Sequence, residues 1–131
     1  MEAEKRWPFS VEYDGKVVGS TSYYSIDPKN RQVNIGYTWY HPRMWGTKLN
    51  STVKFILLEY AFEQLKFIRI AFCVDQLNYR SCRALEKLGA KREGVLRKHM
   101  IRSDGTFRNS VIYGITDDDW STIKNNLQKI I

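Results

Sequence analysis

The stretch Tyr40-His41-Pro42-Arg43-Met44-Trp45-Gly46-Thr47-Lys48 decides the architecture, because the pattern of the chain changes within it. Before it, Val33–Tyr40 is rich in β-branched and aromatic residues and reads as a strand. His41-Pro42 ends that strand, since proline has no N–H to give to a ladder. Beyond it, Leu49, Val53, Ile56, Leu57, Tyr60, Ala61 and Leu65 follow the spacing of an amphipathic helix. A strand thus enters a short turn containing Gly46 and leaves as a long helix. The first turn of such a helix presents unpaired N–H groups and a partial positive charge, which suits a phosphate. Gly46 lets the backbone come close to such a ligand, and Arg43 adds a mobile cation. One glycine before one helix also describes an ordinary loop, so a second junction is needed.

Asp75-Gln76-Leu77-Asn78-Tyr79-Arg80-Ser81 is that junction. It follows Phe67–Val74, a nearly continuous apolar run of the kind expected for a strand covered on both faces. Asn78 is placed to cap a second helix with Cys82, Leu85 and Leu88 on its apolar side, and Gly89 closes it. Ligands of α/β sheets gather outside the carboxyl ends of neighbouring parallel strands. Two strand–loop–helix units with polar residues at the same end define one crevice.

Outward from this centre, Phe9–Tyr13 and Val17–Ile26 flank Asp14-Gly15-Lys16, and Asp27-Pro28-Lys29-Asn30 turns the chain into Val33–Tyr40. At the other end, strands near Glu93–Arg102 and Phe107–Thr116 flank Asp104-Gly105, and Asp117 or Asp118 caps a helix carrying Trp120, Ile123 and Leu127. The order is β-β-β-α-β-α-β-β-α. Crossovers of the strand–helix–strand type make parallel neighbours. The fold class expected is α/β, a mixed sheet that is parallel at its centre and antiparallel elsewhere, with helices on both faces.

Composition narrows the function. With 131 residues, 43% hydrophobic and 27% charged, the chain fits a single globular domain spanning residues 1–131. No apolar run reaches the roughly 18 residues of a membrane span, and Met1–Trp7 lacks the apolar core of a signal peptide. Cys73 and Cys82 have no metal-ligand spacing, so no metal is expected, and they read as reduced thiols in a cytoplasmic protein. The net charge is +7, and the segment from Asn78 to Met100 carries seven cations against two anions. A basic run of this kind is either a solvated face or the seat of an anionic ligand.

Gly36-Tyr37-Thr38-Trp39, Arg43-x-x-Gly46, Asn78-x-x-Ser81, Leu88-Gly89-Ala90, Glu93-Gly94 and Asp104-Gly105 occur in an order and spacing that resembles the GNAT superfamily. The likeness is to its bacterial-type branch of ribosomal-protein N-terminal acetyltransferases (RimJ/RimL-like), from about Ile35 to Trp120. The resemblance implies transfer of an acetyl group from acetyl-CoA to a primary amine, a protein amino terminus or a small molecule. It implies that backbone groups around Thr38, Trp39 and Tyr40 hold the pantetheine arm. Arg43 and the amides of Trp45, Gly46, Thr47 and Lys48 would hold the pyrophosphate. Asn78 would bond the pantetheine region, and Arg83 or Lys87 would approach the adenosine phosphate. The family's phosphate loop usually ends in Gly or Ala where this chain has Lys48.

Amine attack on a thioester needs a base for the amine and an acid for the leaving thiolate. Many family members place a Tyr seven positions after the Asn; here that position is Leu85. Ser81 matches the variant of the RimJ/RimL-like branch, in which a hydroxyl faces the thiol. The alternative is that it merely caps the helix or bonds within its first turn. His99 has the intrinsic pKa of a base and falls on a strand of the expected acceptor side; His41, before Pro42, reads as structural. Tyr37 and Glu12 are alternative holders of a water. The family ordinarily has one more strand and one or two helices before the hairpin at Phe9, where this chain has only Met1–Pro8, room for no more than a helical tail. The uncovered edge that results invites a homodimer through the first hairpin. Two other functions compete: a catalytically silent CoA-binding module, and a basic domain binding ribosome or nucleic acid, the latter without a known recognition signature.

Overall fold

The computed structural model describes residues 6–131. Three strands, β1 (Arg6–Tyr13), β2 (Lys16–Asp27) and β3 (Gln32–Tyr40), lead through a 3₁₀ turn (Pro42–Met44) to α1 (Leu49–Glu59), which continues as a π-helical turn over Tyr60–Gln64. Then follow β4 (Arg69–Asp75), α2 (Tyr79–Leu88), β5 (Lys91–Ile101), β6 (Phe107–Thr116) and α3 (Asp117–Ile130). The strands form one six-stranded sheet in the order β1-β2-β3-β4-β6-β5. Only β3 and β4 pair in parallel, at the centre; the remaining neighbours are antiparallel. The mixed, centrally parallel sheet agrees with the expectation. The second crossover does not give parallel neighbours, because β6 folds back between β4 and β5.

The helices differ from the expectation of a sheet covered on both sides. Ile70 of β4 stands opposite Ile115 of β6, and Phe72 opposite Tyr113, so these side chains share one face. The same face carries Val33 and Ile35 of β3, and all three helices bury their apolar residues in this one cluster. Leu57 and Leu58 come from α1, Leu85 and Leu88 from α2, and Trp120, Ile123 and Leu127 from α3. Leu58 and Ile70, both at 0% exposure, contribute about 2 kcal/mol each. Among the described residues no helix covers the other face.

Helix ends are set by local chemistry. Asn78 caps α2 by accepting from the Ser81 N–H at 3.2 Å, and Gly89 ends it in the left-handed region at φ 108°. Thr116 and Asp119 form a reciprocal capping box at the start of α3. The face of α1 is rotated from the one the spacing suggested: Ile56 and Tyr60 stay 57% and 46% exposed. Leu58 and Phe62 are buried along with the expected Leu57 and Ala61, and Phe62 stacks on Trp120 of α3 at 5.6 Å. Of the expected amino-terminal tail, Arg6, Trp7 and Pro8 belong to β1, an edge strand that tolerates proline. The rest of that segment lies outside the described residues. No helix among the described residues is long and apolar enough to cross a membrane.

Candidate active site

The two parallel strands part soon after they meet. β3 and β4 pair only at Gln32↔Arg69, Val33↔Ile70 and Asn34↔Ala71. Beyond these rungs β3 follows β2, and β4 follows β6. The divergence coincides with a bulge in β3: Ser20 faces Trp39 while Ser22 faces Gly36, so two residues, Tyr37 and Thr38, oppose Thr21. Tyr37 takes the left-handed conformation, φ 52°, a backbone state costing about 1 kcal/mol or more in a non-glycine residue. It is held there by the Arg6 guanidinium 4.2 Å above its ring and by Tyr24 edge-on at 5.1 Å. Thr21 and Thr38 share a hydroxyl hydrogen bond of 2.9 Å across the bulge.

The parting opens a cleft of about 810 Å³ between α1 and α2. Of the residues expected there, Thr38, Trp39, Tyr40, Trp45, Gly46, Thr47, Asn78, Ser81 and Lys87 line it. Arg43 and Lys48 are exposed at its rim and are not part of the lining, and Arg83 faces a shallower depression with Tyr79 and Arg80. At the α1 end, Trp45 donates its indole N–H to the Tyr40 carbonyl at 3.0 Å, which folds the turn against the strand. Gly46 sits at φ 76° with open space around its Cα. The Thr47 hydroxyl accepts from the Leu49 N–H at 3.3 Å, and the first turn bond of the helix runs from Thr52 to Lys48. The amides of Gly46, Lys48, Asn50 and Ser51 have no acceptor among the described residues. These are the free donors an anion needs.

Two groups deeper in the cleft were not expected from sequence. Lys54 of α1 lines it without an ion-pair partner among the described residues, and burial lowers its pKa from 10.5 to about 8. The Tyr40 hydroxyl is buried and makes no hydrogen bond among the described residues, and burial pushes its pKa up to about 12. An orphaned hydroxyl and an unpaired ammonium in one cleft fit a polar, negatively charged ligand. Arg80 also lines the cleft, with its guanidinium 5.5 Å from the Trp45 ring.

The opposite wall is built on Asp75. Its carboxylate accepts a two-pronged contact from Arg102, Nε at 2.8 Å and Nη2 at 2.9 Å, and also the Leu77 N–H at 2.9 Å. The Arg102 hydrogen bonds hold this carboxyl at about 2, below its ordinary 3.8. The β4–α2 junction is thereby fastened to the β5–β6 hairpin. Asn78 spends its side-chain oxygen on capping, so only its amide nitrogen remains for a ligand. The Ser81 hydroxyl lines the cleft and bonds nothing among the described residues.

His99 stands on the uncovered face. Its Nδ1 lies 2.9 Å from the Ser110 hydroxyl and 3.9 Å from the Cys73 thiol. Cys73 and Arg108, neither expected as site residues, both line the cleft. Lys54 had a legible signal: it is the single charge between Leu49 and Leu58. Cys73 and Arg108 had none, since what matters is which strands are neighbours.

The family model described as acetyltransferase (GNAT) domain matches residues 1–91. YdaF of Bacillus subtilis (strain 168), whose name is that of a ribosomal N-acetyltransferase, is 31% identical over 108 residues, 82% of this chain and 58% of its own length. A crystal structure of an acetyltransferase from T. thermophilus superposes with a TM-score of 0.90 at 37% identity, covering 96% of this chain and 66% of that one. RimJ of Mycobacterium smegmatis, solved in complex with CoA-disulfide, has the same fold, with a TM-score of 0.85 at 24% identity over 95% of this chain and 60% of its own. The chain therefore spans about three-fifths of the length of the curated relatives it matches.

Proposed function

The chain belongs to the GNAT acetyltransferase family, and from that premise we propose that it moves an acetyl group from acetyl-CoA to a primary amine. The observation that carries the reading is the cleft between the parted strands, with free amides at one end and an unpaired lysine and orphaned tyrosine hydroxyl within. A CoA-disulfide complex is known for a protein of this fold, RimJ, which supports a CoA thioester as the occupant.

In this reading the amides of Gly46, Lys48, Asn50 and Ser51 receive the pyrophosphate, with Arg43 at the rim. Lys54, Arg80 and Lys87 supply the remaining positive charge. The free backbone edge of Thr38, Trp39 and Tyr40 runs beside the pantetheine arm, and the Asn78 amide nitrogen donates to it. The bound thioester is the acetyl donor. Ser81, its hydroxyl unspent, protonates the leaving thiolate, and His99 takes a proton from the amine on the uncovered face. The acceptor is an amine reaching that face, on a protein amino terminus or a small molecule.

Calorimetric titration with acetyl-CoA tests the cofactor, and thiol release over a panel of amines tests turnover. Micromolar binding with release for at least one amine is expected. Binding without release for any amine would make the chain a silent CoA-binding module. Binding of a short oligonucleotide in place of acetyl-CoA would overturn the reading.

A further inference from the structure

Cys73 has surroundings unlike those of a structural strand cysteine. It lies on β4, two residues past the last rung shared with β3, and pairs with Ile112 on the face away from the helices. The residue is only partly buried and lines the cleft. Its sulfur meets a base and a cation, His99 Nδ1 at 3.9 Å and Arg108 Nη2 at 3.8 Å. Neither neighbour is loose. Ser110, fully buried, contacts His99 Nδ1 at 2.9 Å and accepts from Arg108 Nε at 2.9 Å. One hydroxyl thus holds both groups beside the thiol, and it shares the nitrogen Nδ1 with that thiol. A thiol, a histidine nitrogen within reach and an adjacent guanidinium are the parts of an activated nucleophile, once Ser110 gives up that nitrogen. Cys82 is a contrast within the chain: its thiol is directed at the Asp75 carbonyl at 3.9 Å, and among the described residues it has no hydrogen bond to a histidine or arginine.

We propose that Cys73 is itself an acyl acceptor, taking the acyl group from a thioester in the cleft with His99 as its base. The proposal rests on the cleft being a thioester site. The Ser110 hydroxyl turns away from His99 Nδ1, which then takes the thiol proton, and the sulfur bonds to the acyl carbon. The bond from that carbon to the donor sulfur breaks, and its electron pair leaves on the donor sulfur. The proton on His99 then passes to that thiolate. One thioester and one thiol become another thioester and another thiol, with nothing oxidised or reduced. The guanidinium of Arg108 faces the charge that Cys73 carries before attack. The product leaves the acyl group on the uncovered face of the sheet, stored without an amine.

The test is to incubate the purified chain with acetyl-CoA and no amine, quench in acid, and map the modification by mass. One acetyl group on Cys73, removed by neutral hydroxylamine and absent from Cys82, is expected, with one equivalent of thiol released in a burst. Cys73→Ala abolishes the burst and keeps acetyl-CoA binding; His99→Gln slows it about 100-fold or more, as loss of a general base does. A chain that binds acetyl-CoA yet leaves Cys73 unmodified overturns the inference while the cofactor reading stands. If acetyl-CoA does not bind, the cofactor reading fails and S-acetyl-N-acetylcysteamine decides the chemistry. Selective acetylation of Cys73 by that small thioester supports the nucleophile, and equal or no reaction at Cys73 and Cys82 refutes it.

Discussion

Lys54→Met should make the ligand-free protein more stable and the ligand complex weaker. Burial takes Lys54 from 10.5 to about 8, and each decade of proton affinity is worth about 1.4 kcal/mol. Keeping the ammonium charged in the cleft therefore costs the fold up to about 3 kcal/mol at pH 7, an upper figure because the side chain is partly wet. The sign follows from the lowered value. Below pH 8 the lysine is charged in both states and the cost is full. Between 8 and 10.5 the folded form is already neutral while the unfolded form still holds its proton, so the cost declines. Methionine has nearly the same length and no charge. Urea denaturation of parent and variant should show an advantage for Met of up to about 3 kcal/mol at pH 7, falling to at most about 1 kcal/mol at pH 10. Comparing the two proteins at each pH cancels the titration of other groups. In parallel, loss of a charge-assisted contact to phosphate should lower acetyl-CoA affinity about tenfold or more. A variant no more stable than the parent at pH 7 would refute the buried charge. Unchanged affinity would remove Lys54 from the ligand's surroundings.

Three further outcomes follow from the site. Gly46→Asp meets no steric obstacle but places a carboxylate beside the free amides at a left-handed position; acetyl-CoA affinity measured by calorimetry should drop at least about tenfold, ~1.4 kcal/mol. Ser81→Ala should lower kcat about 100-fold with little change in acetyl-CoA affinity, since its help is given to the leaving group; equal kcat in an active preparation would return Ser81 to a passive place. The edge strand β1 and its hairpin leave Tyr13 and Val17 at 59% and 63% exposure. Sedimentation at micromolar concentration should show a dimer that Tyr13→Lys weakens, and a monomer in both would exclude that edge as an interface.

Most of the sheet was legible because its strands are rich in β-branched and aromatic residues and two of its hairpins turn at Asp14-Gly15 and Asp104-Gly105. The crevice was legible too, since two strand–helix junctions with polar residues are local features. What pattern reading missed was long-range. The insertion of β6 between β4 and β5 brings Arg102 to Asp75 and Arg108 to Cys73, pairs separated by 27 and 35 positions. No periodicity within β5 or β6 encodes those meetings. The assignment of helices to both faces failed for a related reason. Period 3.6 tells which side of a helix is apolar, not which side of the sheet it meets. Ile56 and Tyr60 show the limit at finer scale: both belong to the expected stripe yet stay exposed, while Leu58 and Phe62, two positions on, are buried beside the expected Leu57 and Ala61.

The three rungs between β3 and β4 make this sheet two half-sheets on a narrow seam. β1–β2–β3 and β4–β6–β5 are each knitted by long ladders, while the seam has three residue pairs, one further backbone bond from Ile68 to Arg31, and the apolar cluster beneath. Breathing of the native state concentrates where ladders are shortest. A ligand lying in the parted region would span both halves as a strut, replacing rungs the backbone never makes. Cofactor occupancy and the mechanical unity of the domain are then one equilibrium, in which saturating ligand at about a hundred times its Kd adds about 2.7 kcal/mol. Amides of β3 and β4 remote from any phosphate contact would exchange with solvent more slowly in the complex, because the halves could no longer hinge apart.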